Sequence, residues 1–346
     1  MRKVLLGILL AGMLSLPVSA LELTAPQVPG AGQVFMPEQT DAFGAGLLEL
    51  LQNVVRRIRP ELDAAVQSCS GIVFAAMLFS LLPLLSERIK PTAALAGTVT
   101  IGAMLLRPMG NMIGYASDTV LEICNYGKLI CPVLTAALAA QGGITASGAL
   151  YTGTTIFITI LSMLVSRWFV PMVYLYLVFS VGHSALGAEI MKKIGDAIKN
   201  TLNWLMKTLL VVFTSYMSIT GVVSGTTDAA ALKATKVTIS SVVPVVGGIL
   251  SDASESVLVS MGILKNAAGI YGILAVLAVA AGPFLSVGVQ YLLLKLSAAI
   301  CGLFGNKGIS GMVGDFSTAM GLLLAMVASG CLMVLISTVC YLKGLG

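Results

Sequence analysis

The chain has 346 residues, of which 57% are hydrophobic and only 10% are charged, and its mean hydropathy is +0.98. A soluble domain needs a more even mix to cover its surface with polar side chains. A soluble enzyme, a nucleic-acid-binding protein and a disordered chain are therefore excluded, and an integral membrane protein is predicted. The net charge of +5 comes from residues at the ends of apolar segments, where it bears on topology and gives no evidence for nucleic acid.

The apolar runs predict an all-α, polytopic membrane protein. A helix needs about 20 apolar residues to cross the hydrocarbon core, so about five to seven transmembrane helices fit the sequence. A polytopic membrane domain is predicted over residues 64–346. Its predicted spans lie near 64–86, 92–114, 149–183 as one or two helices, 208–224, 270–294 and 318–342.

The first 20 residues have the features of a secretory signal peptide. Arg2 and Lys3 precede an apolar stretch, and Val18, Ser19 and Ala20 give it a small-residue ending. Cleavage after Ala20 would start the mature chain outside the cytoplasm. An uncleaved first transmembrane helix is the alternative.

Residues 21–63 are predicted to form an extracytoplasmic leader. Residues 21–42 are rich in Pro, Gly and Gln without periodicity, which predicts a flexible segment. From Phe43 to Leu62 apolar side chains recur at steps of three and four, which indicates an amphipathic helix interrupted at Pro60. Such a helix could lie on the membrane surface, on a partner, or on the protein's own helical bundle.

Topology is predicted from basic residues and from length. With an external start, the turn that contains Arg88 and Lys90 is cytoplasmic, and residues 115–148 form an external helix and loop. The run 149–183 is longer than one crossing needs, so a break is expected at Arg167 and Pro171. Length favours two spans there. The lysines of the amphipathic, interfacial segment 190–206 favour one span, since they would then be cytoplasmic.

The segment 237–265 is apolar but interrupted by Pro244, Gly247 and Gly248. Interrupted helices at membrane depth need protein or water to cover the freed backbone groups. A broken or re-entrant segment is therefore predicted, with an ordinary span as the alternative.

Three basic residues within or beside predicted spans are candidate intramembrane charges: Arg107, Arg167 and Lys295. Arg107 lies near the end of its span, where a long side chain can reach the headgroups at modest cost. This favours snorkelling over a role in an ion pathway.

Catalytic and metal-binding patterns are not found in the sequence. His183 is the single histidine, which excludes two-histidine zinc sites. The pair Gly314 and Asp315 lacks the glycine two residues earlier that an intramembrane aspartyl protease needs. The glycines at every third position from Gly302 to Gly314 match no phosphate-binding motif and are typical of a turn or of close helix packing. We expect no enzymatic activity, no cofactor and no metal.

The stretch Lys236–Gly272, followed by Pro283 and the segment 295–299, resembles the stage III sporulation protein AE family. The most specific block is Val243–Gly247 with Asp252 and the segment 264–266. The resemblance implies a multi-pass component of a mother-cell complex, located in the mother-cell-derived outer forespore membrane. With other membrane proteins of that complex, and with a forespore membrane protein across the intermembrane space, it would form a channel or secretion-like apparatus. Candidate partner-binding residues are Pro244, Gly247, Gly248, Asp252, Glu255, Lys265 and Asn266.

A secondary transporter of a small solute is the alternative function. Interrupted helices and charges within or beside spans are typical of transporters. No convincing internal repeat accompanies them, which weakens this alternative.

Overall fold

The computed structural model describes residues 27–38, 43–85, 90–140, 144–242, 247–304 and 307–343. In a few stretches, chiefly 221–268, it describes the path of the backbone without the side chains. Residues 1–20, the predicted signal peptide, and Pro244 lie outside the described residues.

Helices make up almost all of the described chain, as the composition predicts. A short helix, α1, covers Gly30–Gln33 and is followed by two long helices, α2 (Phe43–Leu85) and α3 (Lys90–Ala140). Next come α4 (Ile144–Leu164), a π-helical turn (Val165–Phe169) and α5 (Val170–Leu186). The last three helices are α6 (Glu189–Val242), α7 (Gly247–Leu303) and α8 (Lys307–Lys343). No strand occurs in the described ranges.

Six helical runs of the described chain are long and apolar enough to cross a membrane. They are Phe43–Leu81, Thr92–Ala139, Ile144–Leu186, Glu189–Thr220, Gly269–Leu303 and Lys307–Leu342. This number falls within the predicted five to seven and confirms a polytopic helical membrane protein.

The hairpin of α7 and α8 forms the centre of the bundle. These two helices make the most extensive contact in the structure, and α2, α3, α4, α5 and α6 pack around them. Ser310 Oγ donates to the carbonyl of Ala298 at 2.8 Å, which joins the start of α8 to the end of α7. The glycine-rich stretch after Gly302 lies where the chain passes from α7 to α8. This agrees with the turn that was one of the two structures predicted for it.

Residues 115–140, part of the segment expected to form an external helix and loop, are helical throughout. They continue α3, and their apolar side chains are buried in the main core, among them Ile123, Ile130 and Leu138. Pro108 and Pro132 lie inside this helix without ending it. The helix can be longer than a membrane is thick because neighbouring helices, and not only lipid, cover its apolar side.

Pro60 likewise does not interrupt α2, which runs unbroken from Phe43 to Leu85. A proline inside a helix removes one backbone hydrogen bond and bends the helix, but packing on both sides can compensate. α2 packs on α7 and α3, and Leu50 is buried against Ala278 and Ala281. The helix thus contacts the protein's own bundle, one of the three surfaces that the sequence allowed, while Leu48, Leu51 and Val55 on its other side are exposed.

The expected break at Arg167 and Pro171 is a π-helical turn, and the chain does not fold back there. Val170 donates its backbone N–H to the carbonyl of Val165, five residues earlier. Pro171, which follows, has no N–H to donate, and the wider turn fits it into an otherwise continuous helix. The run Ile144–Leu186 is therefore a single candidate span of 43 residues and not a two-span hairpin.

Part of the leader is packed and not flexible. Val28 and Phe35 are buried, and the segment with α1 lies against α7. The guanidinium group of Arg57 stacks over the ring of Phe35 at 5.5 Å from its centroid. Composition missed this contact because two large apolar side chains among prolines and glycines give no periodic pattern.

Candidate functional site

A carboxylate lies among the central helices at one end of the bundle. Asp315 is the single acidic residue of α8. Its Oδ2 accepts a hydrogen bond from Ser180 Oγ at 2.7 Å, and its Oδ1 accepts one from Tyr176 OH at 3.2 Å. Both donors are buried residues of α5, four positions apart and so on one face of that helix. The carboxylate thus links α8 to α5.

Asp315 lines a cavity of about 490 Å³ between α5, α6 and α8. The wall from α5 contains Tyr176, Ser180 and His183, and the wall from α6 contains Lys192 and Asp196. α8 contributes Lys307, its first residue, together with Asp315. Because Asp315 follows Lys307 by eight residues, the carboxylate lies about 12 Å deeper along the helix axis.

The turn between α5 and α6 positions His183 at this cavity. Gly187 ends α5 in the left-handed conformation, with φ of +66°, and donates its N–H to the carbonyl of His183 at 2.8 Å. A glycine is favoured there because a Cβ atom is strained at positive φ. His183 Nδ1 lies 3.1 Å from the carbonyl oxygen of Ala188. A carbonyl only accepts, so Nδ1 donates the hydrogen in this contact.

The lining of the cavity carries charges of both signs. Lys192 and Lys307 are basic, and Asp196 forms an ion pair with Lys199 at 2.8 Å. Lys307 is the first residue of α8 and Lys192 lies in the first turn of α6, whereas Asp315 lies about two turns into α8. Ionisable residues within membrane spans are costly, and those facing a cavity are candidates for binding or conduction. The charged residues of this lining can attract a charged solute.

The three predicted intramembrane charges do not share one site. Arg107 lines a separate polar groove between α2, α3 and α7. Arg167 is exposed in the π-helical turn. Lys295 is exposed and donates to the hydroxyl of Tyr291 on its own helix, at 3.2 Å.

The candidate partner-binding block is described only in part. Gly247, Gly248, Asp252, Glu255, Lys265 and Asn266 belong to α7, and their side chains lie outside the described ones. Asp252 and Glu255 are three positions apart in this helix, and such positions share a face. The backbone from Gly247 onward is one continuous helix.

Sequence reasoning missed the Asp315 cavity although one signal was present. Asp315 is the only acidic residue between 308 and 346, and a lone carboxylate in a long apolar run is a candidate functional residue. Its donors are 135 and 139 residues away in the chain, so no local motif joins them. Among the described side chains, no three His, Cys, Asp or Glu residues come together as metal ligands.

Comparison with known proteins finds one family. The family model described as Stage III sporulation protein AE matches residues 36–343. Stage III sporulation protein AE of Bacillus subtilis (strain 168) is 23% identical over 225 residues, which is 65% of this chain and 56% of that protein. The match therefore spans little more than half of the relative's length. No solved structure matches the chain.

Proposed function

Because the chain belongs to the stage III sporulation protein AE family, we propose that it is a multi-pass subunit of a mother-cell sporulation complex. In this proposal it joins other membrane proteins of the complex in the outer forespore membrane. Together with a forespore membrane protein, the complex forms a channel or secretion-like apparatus across the two membranes around the forespore. The chain acts there as a structural or channel-forming subunit and not as an enzyme.

The observation that carries this proposal is the family match across almost the whole helical bundle. The matched residues, 36–343, contain all but the edge of the described structure and the six candidate membrane spans. A sporulation role and a membrane location follow from these two findings. The channel and the partner across the intermembrane space are the further steps proposed here.

The proposal includes export of the N-terminus. We expect signal peptidase to cleave after Ala20, since Val18 and Ala20 are small residues at the spacing that the enzyme requires. The mature chain then begins at Leu21, which N-terminal sequencing of the purified protein measures. An intact Met1 would show that the first apolar run is retained as a helix.

Docking to the complex is assigned to Asp252 and Glu255. The double substitution Asp252→Asn with Glu255→Gln keeps side-chain size and removes two negative charges from one helix face. We expect normal abundance in the membrane, reduced co-purification of other complex members, and at least tenfold fewer heat-resistant spores. The measurement compares this strain with the wild type and with a deletion strain.

A matched control is Asp118→Asn, which removes an exposed carboxylate from α3. It should retain partners and spores. If the double variant accumulates normally, keeps every partner and sporulates as the wild type does, Asp252 and Glu255 have no docking role. A deletion strain that sporulates normally would instead contradict the sporulation function itself.

Secondary transport of a small solute is the second candidate, and the Asp315 cavity favours it. A carboxylate held by Tyr176 and Ser180 beside His183 is the type of group that couples solute movement to proton movement. Solute uptake by reconstituted vesicles, together with synthesis of the protein outside sporulation, would support this alternative. Synthesis confined to the mother cell without uptake supports the complex subunit.

A further inference from the structure

A polar groove of about 420 Å³ lies between α2, α3 and α7, apart from the Asp315 cavity. Its polar side chains are Gln67 and Ser68 from α2, Arg107 and Asn111 from α3, and Gln290 from α7. We call it the Arg107 groove. Its five polar groups come from three helices, so only the fold brings them together, and no local sequence pattern could have predicted the groove.

Gln290 is a nearly buried amide that opens onto the groove. This residue is only 6% exposed, and its side chain has no hydrogen bond to any described residue. A polar group in such a position is stabilised by a hydrogen-bond partner. Since Gln290 lines the groove, its remaining exposure faces this space. A ligand with hydrogen-bonding oxygens would satisfy the amide.

Arg107 determines the charge of that ligand. Among the described residues no carboxylate lies within ion-pair distance of its guanidinium group. The other polar side chains of the groove are amides and a hydroxyl, which are neutral and can donate hydrogen bonds. A cation surrounded by neutral donors fits an anion with several acceptor oxygens, and a guanidinium fork matches phosphate.

The position of the groove along the helices matches a lipid headgroup. α2 carries no charged residue from Ala64 to Leu85, and α3 carries none from Pro91 to Leu106. Arg107 follows the start of α3 by 17 residues, which is about 26 Å along the helix, against about 30 Å for a hydrocarbon core. Beyond the groove both helices carry charges, including Asp63 and Asp118. The Arg107 groove therefore lies where the charge-free stretches of both helices end.

From these four observations we propose that the Arg107 groove binds the phosphate of an anionic membrane lipid. Arg107 pairs with the phosphate, and Gln67, Ser68, Asn111 and Gln290 donate hydrogen bonds to its oxygens and to the headgroup. Basic pockets between membrane helices are suited to anionic headgroups in this way. The proposal does not depend on the sporulation complex, since it concerns the isolated protein in its bilayer.

The test uses the full chain in nanodiscs of phosphatidylcholine that contain a fraction of phosphatidylglycerol. Native mass spectrometry counts the lipids that stay bound after release from the disc. We expect selective retention of phosphatidylglycerol by the wild type and a loss of at least tenfold in Arg107→Gln. Gln290→Leu should lose three- to tenfold, and Arg107→Lys should lose less than Arg107→Gln because the charge remains.

Arg167→Gln is the matched control, because Arg167 is also an exposed arginine of a candidate span but lines none of the described cavities. It should retain the lipid. Gln290→Leu replaces a buried amide by an apolar side chain, so it keeps the test valid if the arginine variants fail to fold. Equal retention in the wild type, Arg107→Gln and Gln290→Leu would overturn the proposal. Equal retention of phosphatidylcholine and phosphatidylglycerol by the wild type would overturn it as well.

Discussion

Replacing Gly153 by alanine is expected to destabilise the bundle by about 1–3 kcal/mol, the cost of forcing extra volume into a packed core. Gly153 is buried where α4 meets α6, and an added Cβ would overlap the ring carbon Cε1 of Tyr216. That ring has little room to move. The centroid of the Tyr216 ring lies 5.9 Å from that of Phe157, and the Phe157 ring in turn packs edge-on to Phe213 at 5.3 Å. The Tyr216 hydroxyl donates to the carbonyl of Ala149 at 3.2 Å.

The same helix supplies the control. Gly148 is exposed, and nothing lies within 4 Å of the Cβ that alanine would add there. Alanine is a better helix former than glycine by about 0.5–1 kcal/mol. Gly148→Ala should therefore raise the thermal unfolding temperature in detergent, while Gly153→Ala lowers it. Equal shifts in the two variants would contradict close packing of α4 against α6.

The helical class of the protein was predictable because hydropathy reports the free energy of placing a side chain in lipid. Long runs such as 270–294 and 318–342 are apolar on every face, and both lie within candidate spans. The joints between helices were less predictable. Residues 115–140 carry Asp118, Glu122 and Lys128 and so resembled an external segment. In the structure the opposite face of the same helix is buried in protein, which hydropathy does not measure.

The predicted helix breaks at Pro60 and at Arg167 with Pro171 were wrong because packing, which the sequence does not show, keeps both helices continuous. Pro60 and Pro171 each remove one backbone donor, and sequence alone does not show whether the chain turns or absorbs the loss. α2 absorbs it within a continuous helix, and the run through Arg167 absorbs it in one π-helical turn. Tertiary packing decides between these results, since it stabilises both sides of the defect.

Replacing Asp315 by leucine is expected to cause the largest loss of function. The substitution removes the acceptor of two hydroxyl donors, Tyr176 and Ser180, which are both buried. Hydrogen bonds to a charged group contribute about 1.5–3 kcal/mol each, and the hydroxyls would be left without a partner. We expect lower abundance in the membrane and a fall in heat-resistant spores of at least a hundredfold. Immunoblotting of membranes and spore counts measure the two effects.

A triple variant separates the structural role of Asp315 from a functional one. Asp315→Leu together with Tyr176→Phe and Ser180→Ala removes the donors with the acceptor, so no buried polar group is left unpaired. Such wholly apolar replacements of a polar network are often neutral for stability. Membrane abundance should therefore recover toward the wild-type level.

Spore formation should stay low in the triple variant, even when membrane abundance recovers, if the cavity needs the carboxylate of Asp315. A channel or transporter lined by Asp315 loses its charge in the triple variant however well the helices pack, and Asp315→Asn should already reduce spores in a protein of normal abundance. If the triple variant restores both abundance and spores, Asp315 serves only to join α5 to α8. The function of the bundle would then have to lie in its surfaces, with the Arg107 groove and the segment around Asp252 as the next sites to substitute.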